Sequence, residues 1–224
     1  MNRQLALKKE QELGIAIPQI VREEYEMILL RRIFESDFGR DLVFRGGTAL
    51  RLAYNSPRYS DDLDFTQFKN IKEQDFKAWC EECARTISGL ELVESLQKYY
   101  TLYAQFKVTD PSLERMISIK IEISRRKGKW EKEKDYILMQ LSSEITPITV
   151  LAQVATLERI EKEKRSISPL RIRDVFDLWF IAQKLGRSTV MDFSGFSAVE
   201  IKQDLHRLLP KKQWEFIKDW LPKK

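Results

Sequence analysis

Apolar residues recur at helical spacing in the first quarter of the chain. In "PQIVREEYEMILLRRIFES" one face carries Ile20, Tyr25, Ile28, Leu29 and Ile33, so this segment is predicted to be a helix. The run "DLVFRGG" then predicts a short strand ended by glycines, and "TALRLAY" predicts the start of the next helix. After the break at "NSPRYS", the segment "DLDF" is expected to be extended again.

Two runs rich in β-branched and aromatic residues, "YYTLYAQFKV" and "RMISIKIEIS", follow a further amphipathic helix. They are joined by "TDPSLE", which predicts an antiparallel hairpin. From about residue 148 the pattern becomes helical to the end of the chain. The sequence therefore predicts an α+β protein, with a mixed sheet flanked by helices in an N-terminal domain, residues 1–147, and a helical bundle in a C-terminal domain, residues 148–224.

Composition narrows the class of protein. The chain has 224 residues, of which 43% are hydrophobic, enough for a sizeable core. Because no stretch approaches the roughly 20 apolar residues of a membrane span, a cytoplasmic protein without membrane association is expected. The net charge of +5 lies entirely in residues 151–224, which fits a polyanionic partner such as RNA, although a solvated helical surface would look the same.

The two cysteines form "WCEEC", a C-x-x-C spacing that is compatible with redox chemistry or zinc binding. However, Phe76, Trp79, Cys80, Cys83 and Ile87 recur at helical spacing, which predicts that both cysteines are small apolar core residues. The core interpretation is therefore preferred.

Two aspartates follow the glycine pair by about one helix and one loop. In an extended "DLDF", Asp62 and Asp64 point to the same side and Leu63 points into the core. Two neighbouring carboxylates repel each other unless a cation lies between them, and Mg²⁺ with substrate phosphates is the usual partner. Glu122 on the hairpin would add a third carboxylate. Alternatively, the aspartates are solvated loop residues and Glu122 pairs with Lys120.

Several segments together resemble one known family. The block "GGTALRLAYNSPRYSDDLDF" strongly resembles the signature of the AbiEii/AbiGii-type nucleotidyltransferase toxins, a branch of the polymerase β-like nucleotidyltransferase superfamily. Downstream, "IKIEIS" is similar to the family's third-carboxylate strand, and "RIRDVFDLWFI" is similar to its Arg-Asp-x-x-Asp-Leu helix. The resemblance spans roughly residues 40 to 185, in family order.

This resemblance implies transfer of a nucleoside monophosphate from an NTP to an RNA 3′ end, notably that of tRNA, with release of pyrophosphate. It implies that Asp62, Asp64 and Glu122 hold Mg²⁺ or Mn²⁺ and that Asp174, one helical turn before Asp177, belongs to the catalytic set. The predicted nucleotide-binding residues are Gly46, Gly47, Thr48, Arg51, Ser60 and Lys120. Lys120 is included because it shares a strand face with Glu122.

One element of the family pattern differs. The family commonly places a lysine on the helix before the Arg-Asp motif, where it can contact nucleotide phosphates. The register of "VLAQVATLERIEKEKR" puts Ala152, or Val154 on an alternative alignment, at that position. Lys120, Lys162 or Arg159 are the candidate replacements.

A basic segment, "RRKGKWEKEK", directly follows the Glu122 strand and predicts a surface for the RNA acceptor. Its predicted RNA-binding residues are Arg125, Arg126, Lys127, Lys129 and Trp130, unless the segment is only a solvated turn with a half-buried tryptophan. The leading functional hypothesis is the toxin of a toxin–antitoxin or phage-defence system, with a cognate antitoxin as partner. The alternatives are a small-molecule nucleotidyltransferase and a degenerate protein that binds nucleotide or RNA without transfer.

Overall fold

The computed structural model describes residues 1–221, which form one seven-stranded mixed sheet with helices packed against it. The strands are β1 Leu42–Arg45, β2 Asp62–Gln67, β3 Leu90–Lys98, β4 Thr101–Val108, β5 Ile117–Ser124, β6 Tyr136–Leu141 and β7 Val150–Ala155. The helices are α1 Arg3–Leu13, α2 Ile17–Phe34, α3 Gly46–Tyr54, α4 Glu73–Thr86, α5 Leu157–Arg165, α6 Ile172–Lys184, α7 Ala198–Leu208 and α8 Trp214–Lys218.

The strand order is β3-β4-β5-β2-β1-β7-β6. Strand β2 lies at the centre, antiparallel to β1 and parallel to β5. The register pairs Asp64 with Arg45 on one side and with Glu122 on the other. Side chains of directly paired residues lie on the same face of a sheet, so the pairing sets the predicted carboxylates side by side.

The opposite face of the central strands is covered by helices. Phe44, Leu63, Phe65 and Ile121 are completely buried and alternate along their strands with the polar residues of the other face. Helices α2, α3 and α4 pack against this apolar face. Burial of one face on the helices therefore fixes which strand residues remain available on the other.

Most predicted elements are confirmed, including the helix α2, the strands β1 and β2, and the antiparallel β4–β5 hairpin. The expectation of continuous helix from residue 148 is wrong, because Val150–Ala155 form strand β7. There Val150, Ala152 and Val154 are buried and Leu151 is exposed, a period of two that pairs β7 with β1 and β6. The helical pattern begins only after Thr156, whose hydroxyl caps α5.

The division of the chain into two domains at residue 147/148 stays a prediction. In the structure β7 belongs to the same sheet as β1, so a boundary at 148 separates one strand from its sheet. The last three residues of the predicted C-terminal domain, 222–224, lie outside the described residues. None of the helices within residues 1–221 is both long enough and apolar enough to cross a bilayer.

Both cysteines lie on α4 with their side chains in the core. They are free thiols, and burial raises the pKa of each, that of Cys83 to about 11. A reactive thiol requires a lowered pKa, so the core interpretation of "WCEEC" is confirmed.

Candidate active site

A cleft of about 480 Å³ lies between the open face of the sheet and helices α5 and α6. Its volume falls within the range typical of small-molecule sites. Its lining mixes both signs of charge. The acidic residues are Asp62, Asp64, Glu122, Glu163 and Asp174, and the basic residues are Arg45, Arg58, Arg126, Lys127, Arg159, Lys164, Arg171 and Arg173.

Three predicted carboxylates, those of Asp62, Asp64 and Glu122, lie together at the sheet end of this cleft. Leu63 between the two aspartates is buried, as predicted. Among the described residues, none of the three side chains takes part in a hydrogen bond or ion pair. Burial first, and then repulsion from the neighbouring carboxylates, raises the pKa of both Asp62 and Glu122. Lys120 and Arg45 offset these effects only in part, so the site holds carboxylates that no direct ion pair within residues 1–221 balances.

Asp61, next to Asp62 in sequence, behaves differently. Its carboxylate accepts from Arg22 at 2.7 Å and from Arg207 at 2.9 Å. These two arginines outweigh the effect of burial and lower the pKa of Asp61. Asp61 precedes strand β2 and is held by two arginines, which distinguishes this structural aspartate from the two of the cleft.

The predicted glycine pair forms the floor of the cleft where β1 runs into α3. Gly46 has a φ of 81°, which favours glycine, and a Cβ added there would overlap the carboxylate of Asp64. A Cβ on Gly47 would lie 2.7 Å from the Ser60 hydroxyl oxygen. The absence of side chains here lets Asp64 and Ser60 approach the backbone at the start of α3 closely.

The residues fit a divalent cation through their donor chemistry. Carboxylate oxygens are the ligands that Mg²⁺ and Mn²⁺ prefer, and none of the three forms a direct ion pair within residues 1–221. Within residues 1–221, however, no group of three or more Asp, Glu, His or Cys side chains is already placed to hold a metal ion. The predicted three-carboxylate cage is therefore not preformed. Mg²⁺ commonly binds through one or two carboxylates together with substrate phosphates, which matches this arrangement.

The opposite wall of the cleft is a buried ion network between α5 and α6. Lys164 Nζ lies 3.0 Å from Asp174 and 2.6 Å from Asp177. Arg58 donates two hydrogen bonds of 2.7 Å to Asp177, and Arg171 donates to Asp174 at 2.6 Å and 3.0 Å. Burial alone would raise the pKa of both aspartates, but these cations lower it, that of Asp174 to about 2. Both carboxylates are ionised and held in place.

The structure corrects the expectation that the helix before the Arg-Asp motif lacks a lysine. Ala152 and Val154, the residues aligned with that lysine, lie on strand β7 and are buried. The helix before the motif is α5, and its Lys164 lines the cleft. Of the suggested replacements, Arg159 lines the cleft and Lys162 is exposed outside it. The short apolar run of strand β7 resembles a buried helix segment in sequence, and a helix there shifts the predicted position of the lysine.

Three predicted nucleotide-binding residues do not line the cleft. Thr48 is buried and its hydroxyl donates to the Asp62 carbonyl at 2.6 Å, so it positions strand β2. Arg51 faces away, paired with Glu23 at 2.9 Å. Lys120 is half-buried opposite Asp62 in the strand register and lowers the pKa that Asp62 would otherwise have. Thr48 and Arg51 are held by these other contacts, whereas Lys120 lies beside Asp62 in the sheet. The nucleotide contacts predicted for the three residues stay predictions.

The predicted RNA-binding residues fall into two groups, those that line the cleft and those that do not. Arg126, Lys127 and Trp130 line the cleft. Arg125 instead donates to Gln97 and Asn70, and Lys129 pairs with Glu131 at 3.1 Å. The guanidinium of Arg159 lies 4.0 Å from the centre of the half-buried Trp130 ring. One face of that ring is therefore already covered.

Several cleft residues were not found by sequence reasoning. Arg45, Arg58 and Lys164 carry part of its positive charge, and no single spacing connects them along the chain. Arg58 has a detectable signal, since it lies within the block "GGTALRLAYNSPRYSDDLDF". Arg45 and Lys164 converge only through the packing of β1 and α5 around the cleft.

Comparison with known proteins identifies one matching family and several structures of similar fold. The family described as "Nucleotidyl transferase AbiEii toxin, Type IV TA system" matches residues 28–218. No curated protein matches the sequence. The chain is similar to MenT4, a nucleotidyltransferase toxin from Mycobacterium tuberculosis, with a TM-score of 0.61 and 18% identity over 96% of this chain and 86% of that one. It is also similar to JHP933 from Helicobacter pylori, with a TM-score of 0.56 and 21% identity over 75% of this chain and 68% of that one. At these identities the two structures show a shared fold.

Proposed function

The chain belongs to the AbiEii nucleotidyltransferase toxin family of type IV toxin–antitoxin systems, and from that premise we propose that it transfers a nucleoside monophosphate from an NTP to the 3′ end of an RNA, with tRNA as the preferred acceptor. The observation that carries this proposal is one cleft in which three carboxylates without direct ion pairs among residues 1–221 face a wall rich in basic residues. A cognate antitoxin and a role in toxicity or phage defence form part of the same proposal.

The cationic wall would bind the triphosphate. Lys164 is oriented by Asp174 and Asp177, and Arg173 lines the cleft without an ion-pair partner among residues 1–221. Gly46 and Gly47 line the cleft at the N-terminus of α3, whose backbone amides would receive a further phosphate group. Charge-assisted contacts from both sides would hold the α-phosphate in line with the acceptor hydroxyl.

The carboxylates would serve the attacking group. A bond forms between the RNA 3′ oxygen and the α-phosphorus, and the bond from that phosphorus to the bridging oxygen breaks, releasing pyrophosphate. Glu122, which is paired with Asp64 in the strand register, would accept the hydroxyl proton. When bound at Asp62 and Asp64, Mg²⁺ or Mn²⁺ would neutralise charge on the phosphates and carboxylates.

A labelling assay tests this function. The purified chain is incubated with each of the four α-labelled NTPs, total RNA and Mg²⁺ or Mn²⁺. We expect label at the 3′ end of RNA, loss of labelling in EDTA, and loss in Asp62→Asn. Asp61→Asn is the matched control, since the adjacent carboxylate pairs with arginines and should retain transfer.

Three other results would contradict the proposal. Label in a small molecule with none in RNA would favour a small-molecule transferase. Binding of NTP or RNA without any transfer would indicate a degenerate binding protein. Full activity of Asp62→Asn would exclude the assigned site.

A further inference from the structure

Two tyrosines stand apart from the other aromatic residues of the described chain. Tyr99 is 95% exposed and Tyr100 is 64% exposed. The other exposed aromatic residues, Phe68 and Phe216, are much less exposed, and each packs on another ring at 4.9 Å. Within residues 1–221, neither Tyr99 nor Tyr100 belongs to an aromatic pair. Their rings are therefore open to a ligand.

The position of these tyrosines relates them to the cleft. They form the two-residue turn between β3 and β4, closed by the pairing of Lys98 with Thr101. Thr101 lines the cleft, and the Tyr100 carbonyl accepts from the Arg125 amide at 2.7 Å. The turn thus lies at the cleft mouth, beside the start of the basic segment.

The backbone of the turn is unusual for its sequence. Tyr99 has a φ of 44°, at the first central position of a two-residue hairpin turn, where glycine is the usual residue. A tyrosine there strains the backbone. Its ring is almost fully exposed, so no packing within the protein offsets that strain. A role in binding accounts for a side chain that the fold does not need.

The charges next to the turn identify the kind of ligand. Arg126 and Lys127 line the cleft and, among the described residues, have no ion-pair partner. Exposed aromatic rings beside unpaired cations are the pattern by which proteins hold single-stranded nucleic acid, with bases on the rings and phosphates on the cations. The ring of Trp130 is less suitable because Arg159 covers one of its faces.

We propose that Tyr99 and Tyr100 form a stacking platform for the unpaired bases that precede the 3′ end of the RNA acceptor. This inference rests on the proposed function and deepens it, since it makes a single-stranded 3′ tail the feature that the protein recognises. Stacking of one base on an aromatic side chain contributes about 1–3 kcal/mol, which corresponds to about a 5- to 150-fold change in Kd.

Binding of defined RNAs provides the test. An RNA hairpin with a four-nucleotide single-stranded 3′ tail and a blunt version are compared by fluorescence anisotropy, without NTP or divalent metal. We expect Tyr99→Gly with Tyr100→Ala to weaken binding of the tailed RNA by at least about 5-fold per ring that stacks, with little effect on the blunt RNA. Replacement of both residues by Phe should preserve binding, because the ring and not the hydroxyl stacks.

Two features of the variants allow a loss of binding to be distinguished from misfolding. Tyr99→Gly suits the positive φ, so the turn should fold at least as well as in the parent. Met116→Ala is the control, since Met116 is 59% exposed on the same hairpin sheet just before β5, at the opposite end from the turn. It should leave the binding of both RNAs unchanged.

The outcomes separate this inference from the proposed function. If the parent labels RNA from an α-labelled NTP but the Tyr99/Tyr100 variant binds and labels the tailed RNA equally well, the platform is wrong and the function stands. Equal weakening of tailed and blunt RNA would also overturn stacking. If the parent neither binds nor labels any RNA, the proposed acceptor itself fails.

Discussion

The two walls of the cleft differ in whether their carboxylates are paired with cations. On the sheet side, Asp62, Asp64 and Glu122 form no direct ion pair within residues 1–221. On the helix side, Asp174 and Asp177 are fully buried, yet each contacts two cations. The pKa shifts follow this difference, raised for Asp62 and Glu122 and lowered for Asp174 and Asp177.

This contrast distinguishes two roles for residues of the same type. A buried carboxylate with its cations in place stabilises the fold in its ionised form and can orient a lysine for a ligand. Neighbouring carboxylates without cations destabilise the unliganded fold and gain a partner only when a cationic ligand binds. Charge balance therefore separates the residues expected to position the site from those expected to carry its chemistry.

The largest effect on stability is expected at Asp177. Asp177→Ala leaves Arg58 and Lys164 buried with reduced compensation, and we expect the free energy of unfolding to fall by about 3–5 kcal/mol. Urea denaturation measures this loss. Asp192→Ala, at an exposed position, is the control, and a loss below 1 kcal/mol in Asp177→Ala would show that the buried network contributes little to the fold.

Glu122→Gln should separate activity from stability. Removing one of three mutually repelling carboxylates is expected to lower transfer by about 100- to 1,000-fold while leaving the Tm unchanged or slightly raised. Mg²⁺ should raise the Tm of the parent and raise that of the variant less. Glu91→Gln, exposed on strand β3, is the control for charge alone. A strongly lowered Tm in Glu122→Gln would assign Glu122 a structural role instead.

Asp174 should make the stability of the protein decrease at acid pH. Its lowered pKa, about 2, means that the ionised form stabilises the fold above the ordinary aspartate range, and that this contribution is lost as the pH falls from about 4 to 2. The raised pKa values of Asp62 and Glu122 act with opposite sign, because protonation relieves their repulsion as the pH falls.

Thermal denaturation over that pH range measures the difference. Asp174→Asn should be less stable than the parent by about 1–2 kcal/mol at neutral pH. The two curves should converge toward pH 2. A constant difference across the range would show that the stabilising contact does not depend on the charge of Asp174.

The sequence was sufficient to predict the sheet side of the site. Local alternation assigns Asp62 and Asp64 to one face, and the hairpin places Glu122 on the next strand, because a strand has a period of two regardless of its surroundings. The helix side was not predictable in the same way. Lys164 reaches the cleft only because α5 follows an additional strand, β7, whose short apolar run resembles a buried helix segment in sequence. Arg58 lies in a recognisable block, but its ion pair was not predictable, since its partner Asp177 lies 119 residues further along the chain.

The smallest expected effect concerns the basic segment, where the same criterion of charge balance applies. Arg126 and Lys127 line the cleft without ion-pair partners in the described chain, whereas Arg125 and Lys129 are engaged by neighbouring side chains. Each phosphate contact with a single strand adds about 0.7 to the slope of log Kd against log salt. Replacing both Arg126 and Lys127 by Gln should therefore flatten the slope for tailed RNA by about 1.4, with NTP affinity less affected than RNA affinity. Arg125→Gln with Lys129→Gln removes the same charge and should flatten it less. Equal slopes for the two double variants would mean that only the net charge of the segment matters. Paired and unpaired cations of this segment would then contribute equally to RNA binding.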